Sequence, residues 1–383
     1  MNPPIKALHI VLNSFVNDSR VQKECNSLLG VGFLVSVFAL HEEGLPYEEK
    51  TPSFIVHRFY LATRHWSKNQ LIQLIKYFEC LVRMTRKAMT LKPDVIHAHD
   101  LAALPIGIIM AKIMKASVIY DAHEFETEQV ENPNRLLHFL SVRLERFLVR
   151  RADAVITVSE GIASEYAKRY GIPKPRLVLN CPPFEVVRKS DRFREKFAIG
   201  KDQTIFLYQG GLLRGRGIEN LMEVFSRAVR KDIVLVVIGS GPLEGQIREA
   251  AERCGNIFFH PAVPSKELLS YTASADVGFL PIPNNCLSHY YCLPNKFFEY
   301  AMAGLPILVN DLPEMKRLVD MYRCGVVMES DTAESIFAAV EKIMAEDRSV
   351  YSANARKLAE RYNWEEQEKV LLSVYREVLS CAV

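Results

Sequence analysis

The sequence predicts an α/β protein built from two tandem doubly wound, Rossmann-like domains, and three observations carry that prediction. Short β-branched runs alternate with longer amphipathic stretches along most of the chain. The alternation breaks once, at Cys181-Pro182-Pro183, and resumes near Thr204. The length of 383 residues, 49 % of them hydrophobic, suffices for two cores.

In the first half, strands are expected at residues 7–12, 33–38, 54–57, 94–98, 117–120, 154–158 and 177–179, with helices at 19–29, 67–90, 102–114, 134–151 and 160–170 between them. Such alternation demands crossover connections, hence a parallel sheet covered on both faces. Adjacent prolines favour extended backbone and withhold the amide donors a strand needs, which puts a linker at 184–201. Beyond it, strands at 204–208, 233–238, 257–259, 277–280 and 307–309 are spaced by helices at 218–230, 243–253, 265–273, 295–303 and 332–345. The domains are therefore 1–183 and 202–362, facing across a cleft, with 363–383 as a closing helix.

Net charge is +3, too balanced for a nucleic-acid binder. The longest apolar run, residues 101–111, is about half of what a membrane span requires. The N-terminus has no signal-peptide pattern, so a cytoplasmic location is expected. Eight cysteines form no CxxC pair and read as reduced structural thiols. The charge is unevenly placed, since residues 58–92 carry a net of +7, with Glu79 the one acid among eight Lys and Arg. Apolar residues from Leu71 to Met89 run through the same stretch at near-helical spacing. A basic amphipathic helix can lie on the anionic inner face of a membrane, and a core-packing helix with a basic outer face has the same pattern.

In open α/β sheets ligands bind beyond the carboxyl ends of the strands, so the strand-to-helix loops matter most. The loop Tyr208-Gln209-Gly210-Gly211-Leu212-Leu213-Arg214-Gly215-Arg216-Gly217 has four glycines, two arginines and a helix start, features that suit the diphosphate of a nucleotide sugar. A tight turn with two solvated arginines would contain the same residues. Gly239-Ser240-Gly241-Pro242 is weaker and reads equally as a packing turn. Asn295, Lys296 and Glu299 open a helix framed by Pro294 and Gly304. From its first turn the lysine can neutralise phosphate and the carboxylate can accept ribose hydroxyls. In the first half, His123 follows the fifth strand, where an imidazole can meet a sugar hydroxyl or developing charge. His99 and Asp100 follow the fourth strand, and Asn17, Asp18 and Arg20 the first. All five are candidates to reach a ligand from the first half. No Asp-x-Asp occurs in the chain, so a metal–diphosphate clamp has no candidate and no metal is expected.

Assembled in order, these segments resemble the GT-B glycosyltransferases, specifically the large retaining family called family 4. The marks are DSRV-x-KE (18–24), IHAHDL-x-ALP (96–105), YDAHE (120–124), RRADAVITVSEG (150–161), the glycine-rich loop, VIGSGP (237–242), PNKFFEYAMAGLP (294–306) and Tyr362-Asn363-Trp364-Glu365. The resemblance implies an acceptor-binding first domain, with Asn17, Asp18, Arg20, His99 and Asp100 on the acceptor side, a nucleotide-sugar-binding second domain and a last helix crossing back to the first. It gives His123 to the donor sugar near the reacting carbon, Arg216 to the diphosphate and Glu299 to the ribose. The first Glu of the family's E-x7-E motif falls at Tyr291, and Gly211 stands where many relatives have arginine, leaving Arg214 to supply that charge. Variants of this form occur among bacterial surface-polysaccharide transferases. The expected activity is transfer of a hexose or N-acetylhexosamine, from a UDP-sugar before a GDP-sugar, to a lipid-linked saccharide, with retention and without a cofactor. A UDP-sugar 2-epimerase of the same fold and a non-catalytic relative are the alternatives.

Overall fold

The computed structural model describes residues 3–380 apart from 17, 68, 130–133 and 229. The chain divides into two compact units, Met1–Val178 with Glu368–Val383, and Leu179–Gln367. The first contains β1 (Lys6–Ile10), α1 (Ser19–Gly30), β2 (Leu34–Leu40), β3 (Glu48–Lys50), β4 (Ile55–Phe59), α2 (Gln70–Leu91), β5 (Val95–His99), α3 (Asp100–Met114), β6 (Ser117–Ala122), α4 (Arg135–Val149), β7 (Ala154–Thr157), α5 (Glu160–Tyr170) and β8 (Arg176–Leu177). Its sheet runs β3-β4-β2-β1-β5-β6-β7-β8, parallel throughout except for β3.

The second unit contains α6 (Arg192–Phe197), β9 (Thr204–Gly211), α7 (Ile218–Arg227), β10 (Ile233–Ser240), α8 (Glu244–Arg253), β11 (Ile257–Pro261), α9 (Ser265–Thr272), β12 (Val277–Leu280), α10 (Leu287–Tyr290), α11 (Asn295–Met302), β13 (Ile307–Asn310), α12 (Pro313–Tyr322), β14 (Gly325–Met328), α13 (Ala333–Ala345) and α14 (Arg348–Arg361). Its parallel sheet runs β11-β10-β9-β12-β13-β14. The last helix, α15 (Trp364–Ser380), starts in this unit and continues into the first.

Both sheets are buried on both faces, which explains the near-continuous apolar strands. Strand alternation sends Ile205, Leu207, Val234 and Val236 to one core, and Phe206, Tyr208, Leu235 and Val237 to the other. The strand order reverses at β1/β5 in the first sheet and at β9/β12 in the second, and each reversal opens a crevice for a ligand beyond the strand ends.

Several elements differ from the sequence expectation. Residues 184–201, expected as a linker, lie in the second unit, where Phe193 of α6 is fully buried and stands 6.0 Å from His260. Edge strands β3 and β14 and helices α10, α12 and α14 were not expected. β3 reads Glu-Glu-Lys, a charged antiparallel edge with no apolar signal. β5 and β6 run one or two residues past their expected ends and so include His99, Asp121 and Ala122.

Candidate active site

In the second unit the site is built on the carboxyl end of β9. Gln209, the last buried residue before the glycines, accepts from Thr272 Oγ1 at 2.7 Å and donates from Nε2 to Glu299 Oε2 at 2.5 Å. Its backbone amide donates to the Tyr300 hydroxyl at 3.1 Å, and that hydroxyl faces the Leu207 and Phe279 carbonyls. The strand end and the second turn of α11 are therefore locked to each other, and Glu299 has a fixed orientation. Lys296, one turn back, lies 4.2 Å over the Tyr208 ring, and a Cβ on Gly210 would stand 3.4 Å from its Nζ. Burial, with the neighbouring Arg216 guanidinium second, pushes the Lys296 ammonium down to about 8. Arg216 also acts on Tyr208 and His289. Two cations thus converge at a strand end beside the start of α7, an arrangement that favours an anion.

The loop's backbone is shaped for close approach. Gly217, at φ +77°, caps α7, and a Cβ there would lie 1.9 Å from the Pro281 carbonyl. A Cβ on Gly239 would lie 1.9 Å from the Gly210 carbonyl, so the Gly-Ser-Gly-Pro segment packs beneath the loop. Gly210, Gly211 and Arg214 are exposed, as is Asn295 at the head of α11. Tyr291 ends α10, its ring 4.8 Å from that of Tyr290.

In the first unit His123, partly exposed, stands just past β6. Its Nε2 is 3.0 Å from His99 Nδ1 and 3.3 Å from Asp121 Oδ2, and its Nδ1 is 3.5 Å from Asp100 Oδ1. Burial alone would lower this imidazole, but Asp121 and then Asp100 outweigh it and raise it to about 9, so it is an imidazolium at neutral pH. Asp100 begins α3 at φ +64°, a left-handed conformation that costs energy for any non-glycine residue and aims its carboxylate at His123.

Two acceptor-side expectations are corrected. Arg20 is buried: it clamps Asp121 through Nε and a terminal nitrogen at 2.9 Å each, donates to Val178 O at 2.7 Å and lies 3.1 Å from Glu24. His99 is buried between His9 and His123, hydrogen-bonded to both. Both side chains support the site from inside. Asp18 caps α1 by accepting from Val21 N, also receives Asn13 Nδ2, and stays partly exposed. Asn17 lies outside the described residues. Sequence reasoning missed Gln209, Thr272 and Tyr300. For Gln209 the available signal was a polar residue one position before the glycines, at the end of an otherwise apolar strand.

Two family models match the chain, Glycosyltransferase Family 4 over residues 20–183 and Glycosyl transferases group 1 over residues 189–371. A Bacillus subtilis glycosyltransferase assigned to teichuronic acid biosynthesis, TuaH, is 22% identical over 257 residues, covering 64% of each chain. Among solved structures, the sucrose-phosphate synthase of Thermosynechococcus elongatus superposes with a TM-score of 0.82 at 17% identity, covering 98% of this chain and 100% of that one. Anabaena HepE, solved with UDP-glucose, gives 0.74 at 13% identity over 97% and 99%.

Proposed function

The chain belongs to the family 4 glycosyltransferases of GT-B fold, and from that premise we propose that it transfers a hexosyl or N-acetylhexosaminyl group from a nucleotide sugar to a saccharide acceptor with retention of configuration. The observation that carries this reading is the convergence of Lys296 and Arg216 beside Gly210 at the end of β9. A diphosphate placed there gains two cations and the amides at the start of α7, and its departure as a leaving group is assisted by the same charges. Glu299, oriented by Gln209, then takes the ribose hydroxyls. UDP-glucose in Anabaena HepE supports a UDP-sugar donor. His123, cationic at neutral pH, meets the donor sugar near the reacting carbon. Attack on the same face, with the leaving phosphate taking the acceptor proton, gives retention without an enzyme nucleophile. No cofactor is required, since fixed cations neutralise the diphosphate.

The acceptor is read as lipid-linked, in cell-surface polysaccharide assembly, with the first unit resting on an anionic membrane. α2 supports this. Leu71, Leu74, Ile75 and Phe78 form one helical stripe and are 48–71 % exposed, while Cys80, Met84 and Ala88 pack inward. The apolar stripe therefore faces solvent, which a core-packing helix would not show. α3 touches both α2 and α4, and α4 exposes Leu136, Phe139, Leu140 and Phe147. Among the described residues no helix is long and apolar enough to cross a membrane.

The test is a panel of UDP-, GDP- and ADP-sugars assayed for hydrolysis and transfer, with product stereochemistry read by NMR. Arg216→Ala should lose about 2–4 kcal/mol of transition-state stabilisation. Unchanged turnover in that variant removes the assignment, and an inverted product removes retention. Isomerisation of a UDP-sugar without acceptor would mark a 2-epimerase. Binding of no nucleotide sugar would mark a non-catalytic relative.

A further inference from the structure

Five polar rings lie together in the first unit, and the mechanism above uses only one of them. The sheet register brings them together: His9 on β1 pairs with His97 on β5, and His99, two residues on, shares that face. His9, His97 and His99 are 0–2 % exposed, and Tyr375 reaches them from α15, itself 1 % exposed. Packing alone would be better served by aliphatic side chains, since buried polar groups cost free energy unless paired.

We propose that Tyr375, His9, His97 and His99 form a one-way hydrogen-bond relay that holds His123 with a proton on Nε2, making them positioning residues for the transfer. A neutral imidazole donates from one nitrogen and accepts at the other, so each contact fixes the next. Burial drives His9, His97 and His99 to the neutral form. The Nε2–H of His123 lies closest to His99 Nδ1, at 3.0 Å, which must accept. The His99 proton is then on Nε2, 2.9 Å from His9 Nδ1, which accepts in turn. The His9 proton is on Nε2, 3.4 Å from the Tyr375 hydroxyl oxygen, and that hydroxyl spends its hydrogen on His97 Nδ1 at 2.8 Å. The His97 proton ends on Nε2, 3.9 Å from Asp121 Oδ2. The opposite polarity would set N–H against N–H at the His99–His123 contact and leave the His99 Nδ1–H only Asp121 Oδ2, 3.5 Å away and already facing His123 Nε2 at 3.3 Å, so it is favoured only when His123 loses its Nε2 proton. The state of His123 and the tautomers of the whole array are thereby linked.

The charged groups around His123 are Asp121 on β6, Asp100 at the head of α3 and Arg20 on α1, and two further carboxyls face it, Glu24 on α1 and Glu126 just after β6, which burial pushes up to about 8 and about 9. None of them is changed by altering Tyr375. Removing its hydroxyl leaves the His9 Nε2–H without an acceptor. His9 then gains by moving its proton to Nδ1, which turns His99 from acceptor to donor at His123.

The assignment of His123 to the reacting sugar underlies the functional half of this proposal, so the experiment reads the two parts separately. The full chain is labelled with 15N-histidine and its ring nitrogens are followed against pH, with His123→Asn and His99→Gln for assignment. The expected result is Nε2–H tautomers at His9, His97 and His99. In Tyr375→Phe, His9 and His99 should change to Nδ1–H, and the His123 midpoint should fall by about one pH unit. The alkaline limb of the kcat profile should move with it. His9→Gln, which breaks the relay at its centre, should lower the midpoint alike and serves if Tyr375→Phe fails to fold. Nδ1–H tautomers in the unaltered protein, or an unmoved His123 midpoint in both folded variants, overturns the relay. Equimolar zinc in the purified protein, held by His9, Glu24, His97 and His99, whose ligand atoms lie within 4.8 Å of one another, overturns it too. A shifted His123 midpoint with an unshifted kcat profile upholds the relay and removes His123 from the chemistry.

Discussion

Arg20 spends its whole guanidinium inside the protein, on Asp121, the Val178 carbonyl and Glu24. Asp121 is held well below the usual carboxylate range against its own burial, with Arg20 the foremost of the groups that lower it, while burial and the Asp121 charge push Glu24 up. Arg20→Met would leave a buried carboxylate uncompensated and should cost about 3–5 kcal/mol in urea unfolding. Glu24→Gln imitates a protonated Glu24 and should cost far less, and equal losses in the two would show that Glu24 is ionised. Lys296 gives a second prediction. Its ammonium sits near 8 in the free protein, and a bound diphosphate favours the charged form. Below about pH 8 the lysine is charged in both states and affinity for UDP is flat in this group. Above it, binding takes up a proton, so affinity should fall by up to about tenfold per pH unit, read by calorimetry in buffers of differing ionisation enthalpy. Lys296→Met should abolish the slope. The sequence motif identified Lys296 as a cation near phosphate, but its depressed affinity for protons comes from burial and then from the nearby Arg216, which no spacing rule reports. Arg20 shows the opposite case. Its position after the first strand suggested an outward reach, whereas its partner Asp121 is about a hundred residues away, and only the folded sheet brings them together.

Among elements, those with strong periodicity were legible and those defined by their neighbours were not. β10, an unbroken apolar run, and α15, a clean amphipathic helix, were read directly. β14 is four residues long and closes against β13, where a Cβ on Gly325 would meet the Ile307 carbonyl at 1.8 Å. α14, with buried Ala355, Leu358 and Ala359, has little apolar signal of its own and packs on α11. The loop from β9 to α7 was legible as a ligand loop through its glycines, but the reason for each glycine was not. Gly217 is required by the Pro281 carbonyl, which lies at the end of a strand some sixty residues on. Gly217→Ala has to shift that contact and adopt a left-handed backbone, at a cost of about 1–3 kcal/mol. The loss should appear mainly as weaker UDP binding, since the distortion falls on the loop that receives the anion. A variant with full affinity and lowered stability would show that the glycine serves the fold alone.

For the whole molecule, net charge is small, yet the first 185 residues have a net of +4 and the remainder −1. Such an asymmetry matters only if the charges reach a common surface, and on α2 they do. At about 100° per residue, Arg86 and Met89 fall beside the exposed stripe of Leu71, Leu74, Ile75 and Phe78, opposite the inward Cys80, Met84 and Ala88. Glu79, the one acid in the stretch, is engaged by the amides of Ala62 and Thr63, the Thr63 hydroxyl and Arg83. These partners outweigh its burial and hold its carboxylate down to about 2. It therefore stays charged but is turned to the loop before the helix. The proposed membrane contact then has two separable parts. Each basic residue near an anionic surface contributes about 1 kcal/mol, so Arg86→Gln and Lys92→Gln together should weaken partition to anionic vesicles by about thirtyfold. That loss should shrink in 1 M salt, where the screening length falls to about 3 Å. Leu74→Gln with Phe78→Gln removes inserted apolar area instead, and its effect should be the same at low and high salt. Vesicle flotation with and without anionic lipid reads both. Equal recovery from neutral and anionic vesicles at low salt would eliminate the electrostatic part, and insensitivity to the apolar pair would leave the exposed stripe of α2 without this role.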